Sequence, residues 1–577
     1  MILSALDWTI IAGYLIFSII VGLWSSKKSS QDTRSFFLAG NNLPWWMLGI
    51  SMVATTFSTD TPNLVTDLVR KDGVAGNWVW WAFLLTGMLS VFVYAKLWNR
   101  SGLLTDIQFY ELRYGGKPAA FLRGFRALYL GLIFNSLVMG AVSLAAIKFG
   151  EIVLQIEGWQ TLFIACSITL LYSTLGGLKA VVVTDVIQFL LAMVGSVWAA
   201  IYVVSLPQIG GMENLINHPN VIDKISIFPD FSDPDIWVPL FFVPLAVQWW
   251  STYYPGSEPG GGGYIAQRMF SAKNERNAIA ATFLFNFSHY ALRPWPWIII
   301  ALSSLVIFPE VGDIQNAFPG LPDSKLGNDV AYPAMLTLLP SGLIGIVSAS
   351  LIAAFMSTMS TQLNLGASYL VNDFYHRFLR QDASQKELVF AGRVFTVISI
   401  TIGAGLGLTL QSAGQAFNLL LLVGAGTGAI YILRWFWWRI NATTEIIAMI
   451  SSVIIAGFLN FSNLGMEDWE KIIIGVILTT IVWIIGTFLT KPEEEKVLIN
   501  FVKKINPGGP GWKKFSNGLQ PKWSLPNDIL KMFLGIFSVY SLLIGIGQII
   551  YQDNLGYIFI VFSAIGMGFL FNLIEND

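Results

Sequence analysis

The sequence has few of the residues from which enzymes build catalytic sites. Its 577 residues include one cysteine and three histidines, and only 12% are charged. Cys166 lies in an apolar stretch, which excludes a disulfide framework or a multi-cysteine metal site and favours an inert thiol. His218, His289 and His376 fall in different loops and one apolar segment, so they form no cluster for metal-dependent or acid-base chemistry. A net charge of −1 argues against nucleic acid as a partner. We therefore expect neither an enzyme nor a nucleic-acid-binding protein.

Apolar residues are abundant instead: 54% of the chain is hydrophobic and 14% aromatic, with 22 tryptophans. This composition predicts an all-α, polytopic protein of the lipid bilayer. The first apolar run leads into Lys27 and Lys28 without a cleavable signal pattern, so we expect it to remain as an anchor. Apolar runs of about 17 to 25 residues predict about 15 spans, near 6–25, 45–66, 77–98, 125–150, 158–176, 180–206, 236–254, 277–307, 330–372, 391–410, 414–433, 443–461, 469–490, 530–551 and 556–574.

The basic residues predict the orientation of these spans. If the N-terminus lies outside, most Lys and Arg fall in cytoplasmic loops, and only Arg70, Lys71, Lys224, Lys325 and Lys471 lie in outer ones. This places the C-terminus in the cytoplasm and predicts a multi-pass protein of the plasma (inner) membrane. None of the loops is long enough for an attached ATPase or receptor domain. Energy for any transport must then come from an ion gradient or from the solute itself.

One apolar segment, Ala353 to Gln362, carries the hydroxyls of Ser357, Thr358, Ser360 and Thr361. At i, i+1, i+3 and i+4 on a helix, these groups form one stripe of neutral oxygens, which suits a hard monovalent cation such as Na⁺. The alternative interpretation is helix packing, because Ser and Thr in membrane helices also bond carbonyls one turn back.

Two spans are interrupted in a way that is typical of ion-coupled transporters. The second span, from Ser51 to Pro62, holds six hydroxyl residues and Asp60. The seventh, from Gln248 to Tyr264, is rich in Pro and Gly, through which a helix cannot continue. These segments lie five spans apart, and an odd spacing inverts topology, so spans 2–6 and 7–11 are interpreted as inverted repeats of five helices. The alternatives are that Pro62 kinks a packing helix and that the glycine run is a loop.

Three motifs in order resemble the sodium/solute symporter family, which includes bacterial proline, galactose and sialic acid carriers and animal sodium/glucose cotransporters. The resemblance covers about residues 6–440. Its most specific part is the stretch 171–188, where Gly176 and Gly177 precede Thr184, Asp185 and Gln188. The other parts are Ala353 to Gln362 with Asp373-Phe-Tyr375, and Tyr264-Ile-Ala-Gln-Arg268 with Ser271-Ala-Lys273.

The resemblance implies a LeuT-type core of two inverted five-helix repeats with extra helices at both ends. It also implies a Na⁺ site formed by the carbonyls of Ala54 and Phe57 together with Ala354, Ser357 and Thr358. Relatives with a further sodium use positions that correspond here to Asp185, Ser360 and Thr361, so a second Na⁺ is an open alternative to helix packing. The predicted divisions are an N-terminal helix and loop (1–44), repeat 1 (45–206), an extracellular loop (207–235), repeat 2 (236–433), and C-terminal helices (434–577) with a cytoplasmic loop at 491–529.

The solute site is less clearly marked, because sugar carriers of the family have an acid and polar groups where this chain has Asn77-Trp-Val-Trp-Trp81. Aromatic surfaces stack on sugar rings but also fill packing interfaces and lipid-facing belts. The candidates from the first break are Thr59, Asp60 and Thr61. Those from the third and seventh spans are Asn77, Trp78, Trp81, Gln248, Trp249, Tyr253 and Tyr254.

Arg293 is unusual because it lies deep in the eighth span, where an uncompensated charge costs at least about 2.5–3.5 kcal/mol. It could bind a carboxylate-bearing solute, with Asn286 and His289 on the same helix face. Alternatively it bonds carbonyls freed by Pro294 and Pro296, or an acid on a neighbouring helix; we favour this structural interpretation. All three residues remain candidates for the solute site.

The sequence therefore predicts a sodium-coupled symporter that carries a small organic solute, with a sugar or sugar derivative favoured, by alternating access. The alternatives are a symporter of amino acids, carboxylates or uronates, and an uncoupled channel or sensor on the same fold. The expected partners are Na⁺, the solute and the lipid bilayer, and we expect a monomer or weak homodimer.

Overall fold

The computed structural model describes residues 3–29, 32–251, 260–410, 426–462, 465–516 and 523–575. Their regular secondary structure is helical, apart from a single β-bridge between Leu43 and Ala272. The predicted all-α class is confirmed. The helices are α1 (Ala5–Ser29), α2 (Trp45–Thr55), α3 (Asp60–Asp72), α4 (Val74–Ser101), α5 (Gly116–Leu154), α6 (Gly158–Val204), α7 (Pro234–Ala246), α8 (Gly263–Ser271), α9 (Glu275–Ile307), α10 (Leu343–Leu379), α11 (Gln385–Thr409), α12 (Ala442–Phe461), α13 (Asp468–Leu489), α14 (Glu495–Ile505), α15 (Leu525–Ile550) and α16 (Leu555–Glu575).

Eleven helices within the described residues are long and apolar enough to cross a membrane, and α2 and α7 are shorter apolar helices. The multi-pass prediction is therefore confirmed, whereas the count of 15 spans stays a prediction. Some predicted spans differ in their bounds. The span at 330–372 divides into a short helix, Ala331–Leu336, and α10, and most of the span at 414–433 lies outside the described residues.

The first predicted interruption lies between α2 and α3, at residues 56–59. The helix breaks before Pro62, which instead lies in the first turn of α3. A proline there costs little, because the first N–H groups of a helix have no intrahelical partner. Pro62 therefore does not mark the break, which precedes it within the segment 51–62. The hydroxyl residues at the end of α2 and in the break, Thr55, Thr56, Ser58 and Thr59, are buried in the interior.

The second interruption follows α7. The helix ends at Ala246, Gln248–Trp250 forms one 3₁₀ turn, and α8 begins at Gly263. Residues 252–259, which include Tyr253 and Tyr254, lie outside the described residues. The start of α8 is held by Asp106, which accepts the Gly263 N–H at 2.8 Å and the Tyr369 hydroxyl at 2.7 Å. A carboxylate at a helix N-terminus satisfies an orphan donor and complements the helix dipole. Asp106 thereby fixes α8 to α10.

Helix α6 corresponds to two predicted spans joined at a sharp bend. The bend is at Gly177, which has a φ of 55° and a ψ of −162°. This backbone conformation is accessible essentially to glycine alone. A Cβ at this position would also lie 2.6 Å from the Phe36 carbonyl oxygen. The second half of α6 packs closely against α10 and α2, so the bend brings Asp185 to the centre of the molecule.

We expect Gly177→Ala to lower the stability of the purified protein, because the new side chain is strained by about 1–3 kcal/mol in this region of backbone space and also collides with Phe36. The melting temperature in detergent should fall by several degrees. Gly195→Ala is the matched control on the same helix, since its Cβ would meet its nearest neighbours at 3.5 Å, an ordinary contact. Equal melting temperatures for the two variants would contradict this account of the bend.

The segment predicted as a loop at 491–529 contains α14, whose apolar face docks against the rest of the protein. Phe501 and Trp512 are fully buried, and the Trp512 indole N–H donates to the Trp435 carbonyl at 2.8 Å. The Arg113 guanidinium lies over both rings and also donates to the carbonyls of Arg434, Trp437 and Ile440. This segment is thus part of the packed structure.

Candidate functional site

Helix α10 lies beside the first break, and Thr358 connects the two. Its hydroxyl is 2.9 Å from the Thr55 carbonyl oxygen and 3.3 Å from that of Phe57. The Ala54 carbonyl accepts the Phe57 N–H at 3.1 Å, which closes a tight turn at the end of α2. For metal–oxygen distances of about 2.3–2.6 Å, the range for Ca²⁺, which is close to Na⁺ in size, neighbouring oxygens of an octahedral shell lie about 3.3–3.7 Å apart. The Phe57 carbonyl and the Thr358 hydroxyl have this spacing.

Ser357 completes the same turn of α10 and is oriented by an acid. Its hydroxyl donates to Asp185 Oδ1 at 2.6 Å, and the Ser51 hydroxyl donates to the other carboxylate oxygen. Ser51 lies on α2, Asp185 on α6 and Ser357 on α10, and all three side chains are fully buried. A hydroxyl that donates its proton to a carboxylate keeps its oxygen lone pairs for another partner. Ala54 and Ala354 are buried in the same region.

The second pair of predicted hydroxyls has other partners. Ser360 donates to the Ser357 carbonyl at 3.0 Å, within its own helix. Thr361 is 3.1 Å from the Thr55 hydroxyl and accepts a hydrogen bond from the Arg268 guanidinium at 2.8 Å. Arg268 was not among the predicted site residues, although it belongs to one of the recognised motifs.

Arg293 is directed at the first break. Its guanidinium donates to the carbonyls of Val53 and Thr56 at 3.0 and 3.1 Å, and to the Thr56 hydroxyl at 3.1 Å. It also lies over the rings of Trp297 and Phe57, at 5.1 and 5.9 Å from their centroids. These contacts favour the structural interpretation, but the carbonyls belong to α2 rather than to the turns before Pro294 and Pro296.

A cavity opens next to the break, between α2, α4, α8 and α9. Asn286 and His289 of the predicted solute residues line it. The Asn286 amide donates to the Thr282 carbonyl at 2.8 Å, and its Oδ1 has no hydrogen-bond partner within the described residues. Gly87 faces this oxygen so closely that a Cβ would lie 1.7 Å from it. The lining residues are Thr56, Phe83, Thr86, Gly87, Ser90, Gly261, Tyr264, Ile265, Thr282, Phe285, Asn286, His289 and Tyr290.

The aromatic candidates of the third span are engaged in packing. The Trp78 indole donates to the Ile227 carbonyl at 2.9 Å, and its ring contacts those of Trp81 and Tyr540. Asn77 bonds the Val74 carbonyl and the Trp80 indole. None of Asn77, Trp78 and Trp81 lines the cavity.

The described candidates near the two breaks are not among the lining residues of the cavity either. Gln248 donates to the Val79 carbonyl at 3.0 Å, and the Trp249 carbonyl accepts the Thr86 hydroxyl. Thr61 bonds the backbone of the break, whereas the buried Thr59 hydroxyl has no partner among the described residues. Asp60 is the first residue of α3 and lies within electrostatic reach of Arg293.

Sequence reasoning missed several cavity residues. Thr86 and Ser90 lie one turn apart on α4, and this i, i+4 hydroxyl pair in an apolar span was the available signal. Tyr264 lies in a recognised motif, but the motif does not reveal that its side chain lines the cavity. Thr56 was within the hydroxyl-rich break.

Comparison with known proteins identifies this architecture. The family model of the sodium:solute symporter family matches residues 36–454. The chain belongs to this family. It is 29% identical over 501 residues to the sodium/glucose cotransporter of Vibrio parahaemolyticus, covering 83% of this chain and 90% of that one. It is 27% identical over 475 residues to sodium/glucose cotransporter 1 of Oryctolagus cuniculus, covering 76% and 69%.

Among solved structures, a Na⁺-coupled sialic acid symporter in a substrate-bound outward-open state matches with a TM-score of 0.66 at 18% identity, covering 85% of this chain and 99% of that one. The predicted LeuT-type fold is confirmed. This member of the family is a transporter that couples solute movement to Na⁺, and the prediction that it is not an enzyme is confirmed by its transporter relatives.

Proposed function

We propose that this symporter carries a neutral, hydroxyl-rich solute such as a sugar, and that the solute binds in the cavity beside the first break. The observation that carries the proposal is the chemistry of the lining. The described lining residues include hydroxyls, one amide, one imidazole and several aromatic rings, and no carboxylate, lysine or arginine is among them. Hydroxyl and amide groups exchange hydrogen bonds with a polyol, and aromatic faces cover its apolar surface. A carboxylate-bearing solute would need a cation there, and the Arg293 guanidinium is directed at the α2 carbonyls instead.

The Na⁺ site of this proposal consists of the carbonyls of Ala54 and Phe57 with Ala354, Ser357 and Thr358. Neutral oxygens strip water from Na⁺ without the strong hold of several carboxylates, so the ion can leave on the inner side. Because these ligands come from α2 and the break after it on one side and from α10 on the other, the ion favours the arrangement in which the two sides are close. Inward release would then separate them and open the other path.

We further propose that the protein lies in the plasma (inner) membrane with its N-terminus outside and its C-terminus in the cytoplasm. We propose that it is a monomer or weak homodimer. The repeats are proposed to span 45–206 and 236–433. The relatives named as sodium/glucose cotransporters support a sugar as solute.

A thermal-shift screen of the purified protein tests the solute class. Sugars, uronic acids and amino acids are compared at equal concentration in Na⁺ and in K⁺. A ligand stabilises by an amount that grows with its concentration above Kd. We expect neutral sugars to raise the melting temperature, and to do so only in Na⁺. Stabilisation by amino acids or uronates without any effect of neutral sugars would contradict the proposal.

Asn286→Ala should weaken binding of the stabilising sugar about tenfold, because one hydrogen-bond acceptor at the cavity is worth about 1.4 kcal/mol. Na⁺ binding without solute should be unchanged, since the Asn286 side chain contacts none of the proposed ligands. Ser303→Ala is the control on the same helix, where a buried hydroxyl lies outside the cavity lining. The measurement is the sugar concentration that gives half-maximal stabilisation in Na⁺. Equal values for Asn286→Ala and the control would place the solute elsewhere.

A further inference from the structure

A buried arginine lies among the oxygens that the sequence assigns to a second sodium ion. Arg268 on α8 is fully buried, and its Nη2 donates to Thr361 Oγ1 at 2.8 Å and to Ser51 Oγ at 3.3 Å. The same nitrogen is 3.9 Å from Asp185 Oδ2. A guanidinium therefore takes the hydroxyl of Thr361 and the charge of Asp185, both of which a second Na⁺ would need.

Arg268 is also held from its other side. Its Nη1 donates to Gln267 Oε1 at 2.7 Å, and the Gln267 amide nitrogen donates to Asn364 Oδ1 at 2.8 Å and to the Phe37 carbonyl at 3.1 Å. All of these side chains are buried. A guanidinium presents several donors in a planar fork, and here the fork is distributed over α2, α8 and α10. Such a network fixes the position of the charge.

From this arrangement we propose that Arg268 is the resident cation at the second position and that the protein consequently binds one Na⁺ per transport cycle. The inference rests on the proposed function, because it takes the site of Ala54, Phe57, Ala354, Ser357 and Thr358 as the place of that one ion. It selects between the one-sodium and two-sodium alternatives that the sequence leaves open.

The charge balance at this position opposes the binding of a second Na⁺. Asp185 and Arg268 form an ion pair, and in the described part of the chain no third charged side chain joins either of them. The carboxylate already balances one cation. A Na⁺ bound to Asp185 and Thr361 would lie within a few ångströms of the guanidinium, and because all three side chains are buried, bulk solvent would screen the repulsion only weakly. The second ion could bind only if Arg268 moved away from its three hydrogen-bonding partners, Ser51, Gln267 and Thr361.

The proposal also gives Asp185 a role as a positioning residue. Its Oδ1 accepts the Ser357 proton at 2.6 Å, which turns the Ser357 oxygen lone pairs away from the acid. Asp185 thus prepares a ligand of the one Na⁺ without touching the ion itself. Arg268 keeps that carboxylate from attracting a cation of its own.

Equilibrium dialysis of the purified full-length protein with ²²Na⁺ alone tests the ion count. The wild type should bind one Na⁺ per chain, and a sodium titration followed by tryptophan fluorescence should have a Hill coefficient of one. In Arg268→Gln the buried carboxylate loses its counter-charge, so we expect two Na⁺ per chain. The double variant Arg268→Gln/Asp185→Asn should return to one. Arg268→Lys keeps a cation at the position and should also bind one.

The outcomes separate this inference from the proposed function. Two ions in the wild type would overturn the inference and leave the proposed sodium site intact. No ion in the wild type, with size-exclusion chromatography confirming an intact fold, would contradict the proposed site itself. One ion in a folded Arg268→Gln variant would show that the arginine does not exclude the second ion. If Arg268→Gln does not fold, the number of Na⁺ bound per chain is compared for the wild type and Arg268→Lys. Two bound ions in either protein would overturn the inference.

Discussion

Replacing Ser357 and Thr358 together by alanine is expected to abolish sodium-dependent transport. The double variant removes two hydroxyl oxygens at the point where α10 meets the carbonyls of the first break. Bonds between a polar group and a charge contribute about 1.5–3 kcal/mol each, so losing two should weaken Na⁺ binding at least about 100-fold. The measurement is solute uptake into proteoliposomes against external Na⁺, with the solute taken from the thermal-shift screen.

Ser350→Ala is the matched control for this variant. Ser350 is also a buried hydroxyl on α10, but it bonds only the Val347 carbonyl of its own helix, at 2.8 Å. Its variant should keep the sodium dependence of the wild type. If the double variant retained half-maximal uptake at the wild-type Na⁺ concentration, the ion would have to bind elsewhere. Melting temperatures of both variants in K⁺ would reveal a general loss of fold.

The central architecture could be predicted from the sequence because local features mark it. Hydroxyl residues and an acid in an apolar segment are costly unless they have a use, and they identified the break at 51–62. The bounds of the break were harder to predict. Pro62 is the strongest helix breaker in the segment, yet it lies in the first turn of α3, where its missing N–H has no consequence. Proline alone cannot tell the start of a helix from its end.

The solute cavity was only partly predictable, since its residues come from helices that are distant in sequence. Asn286 and His289 were found because they share a polar helix face with Arg293. Trp78 and Trp81 were chosen for their aromatic surface, but the sequence does not reveal that the loop residue Phe228 stacks on Trp78 or that Trp81 packs against Trp78 and Trp80. Aromatic rings serve packing and recognition equally well, and only tertiary contacts separate the two roles.

The pairing of Arg268 with Asp185 illustrates a further limit. Both residues lie in recognised motifs, and each motif could be interpreted by itself. Their interaction depends on the bend at Gly177 and on the start of α8 at Gly263, which together bring α6 and α8 to the same side of α10. The motifs identified Asp185, Ser360 and Thr361 as oxygen ligands of a second cation. They did not reveal that the guanidinium of Arg268 lies at the same position.

Arg293→Met is expected to lower both stability and sodium affinity, although Arg293 contacts none of the proposed sodium ligands through its hydrogen bonds. The guanidinium satisfies the Val53 and Thr56 carbonyls at the C-terminal end of α2, where a positive charge is also favoured by the helix dipole. Leaving buried acceptors unsatisfied costs about 1–3 kcal/mol each. The same helix end carries the carbonyls of Ala54 and Phe57, so disorder there should also displace the proposed ion site.

Arg293→Lys separates the charge from the geometry. Lysine keeps the positive charge but cannot reach both carbonyls and the Thr56 hydroxyl with one planar fork. We therefore expect an intermediate melting temperature and an intermediate Na⁺ affinity, measured by thermal shift in increasing NaCl. If Arg293 instead bound a carboxylate of the solute, Arg293→Met would keep its sodium response and lose only stabilisation by acidic solutes. That pattern would falsify the structural role, because a residue that holds the break together cannot be removed without consequence for the ion that the break binds.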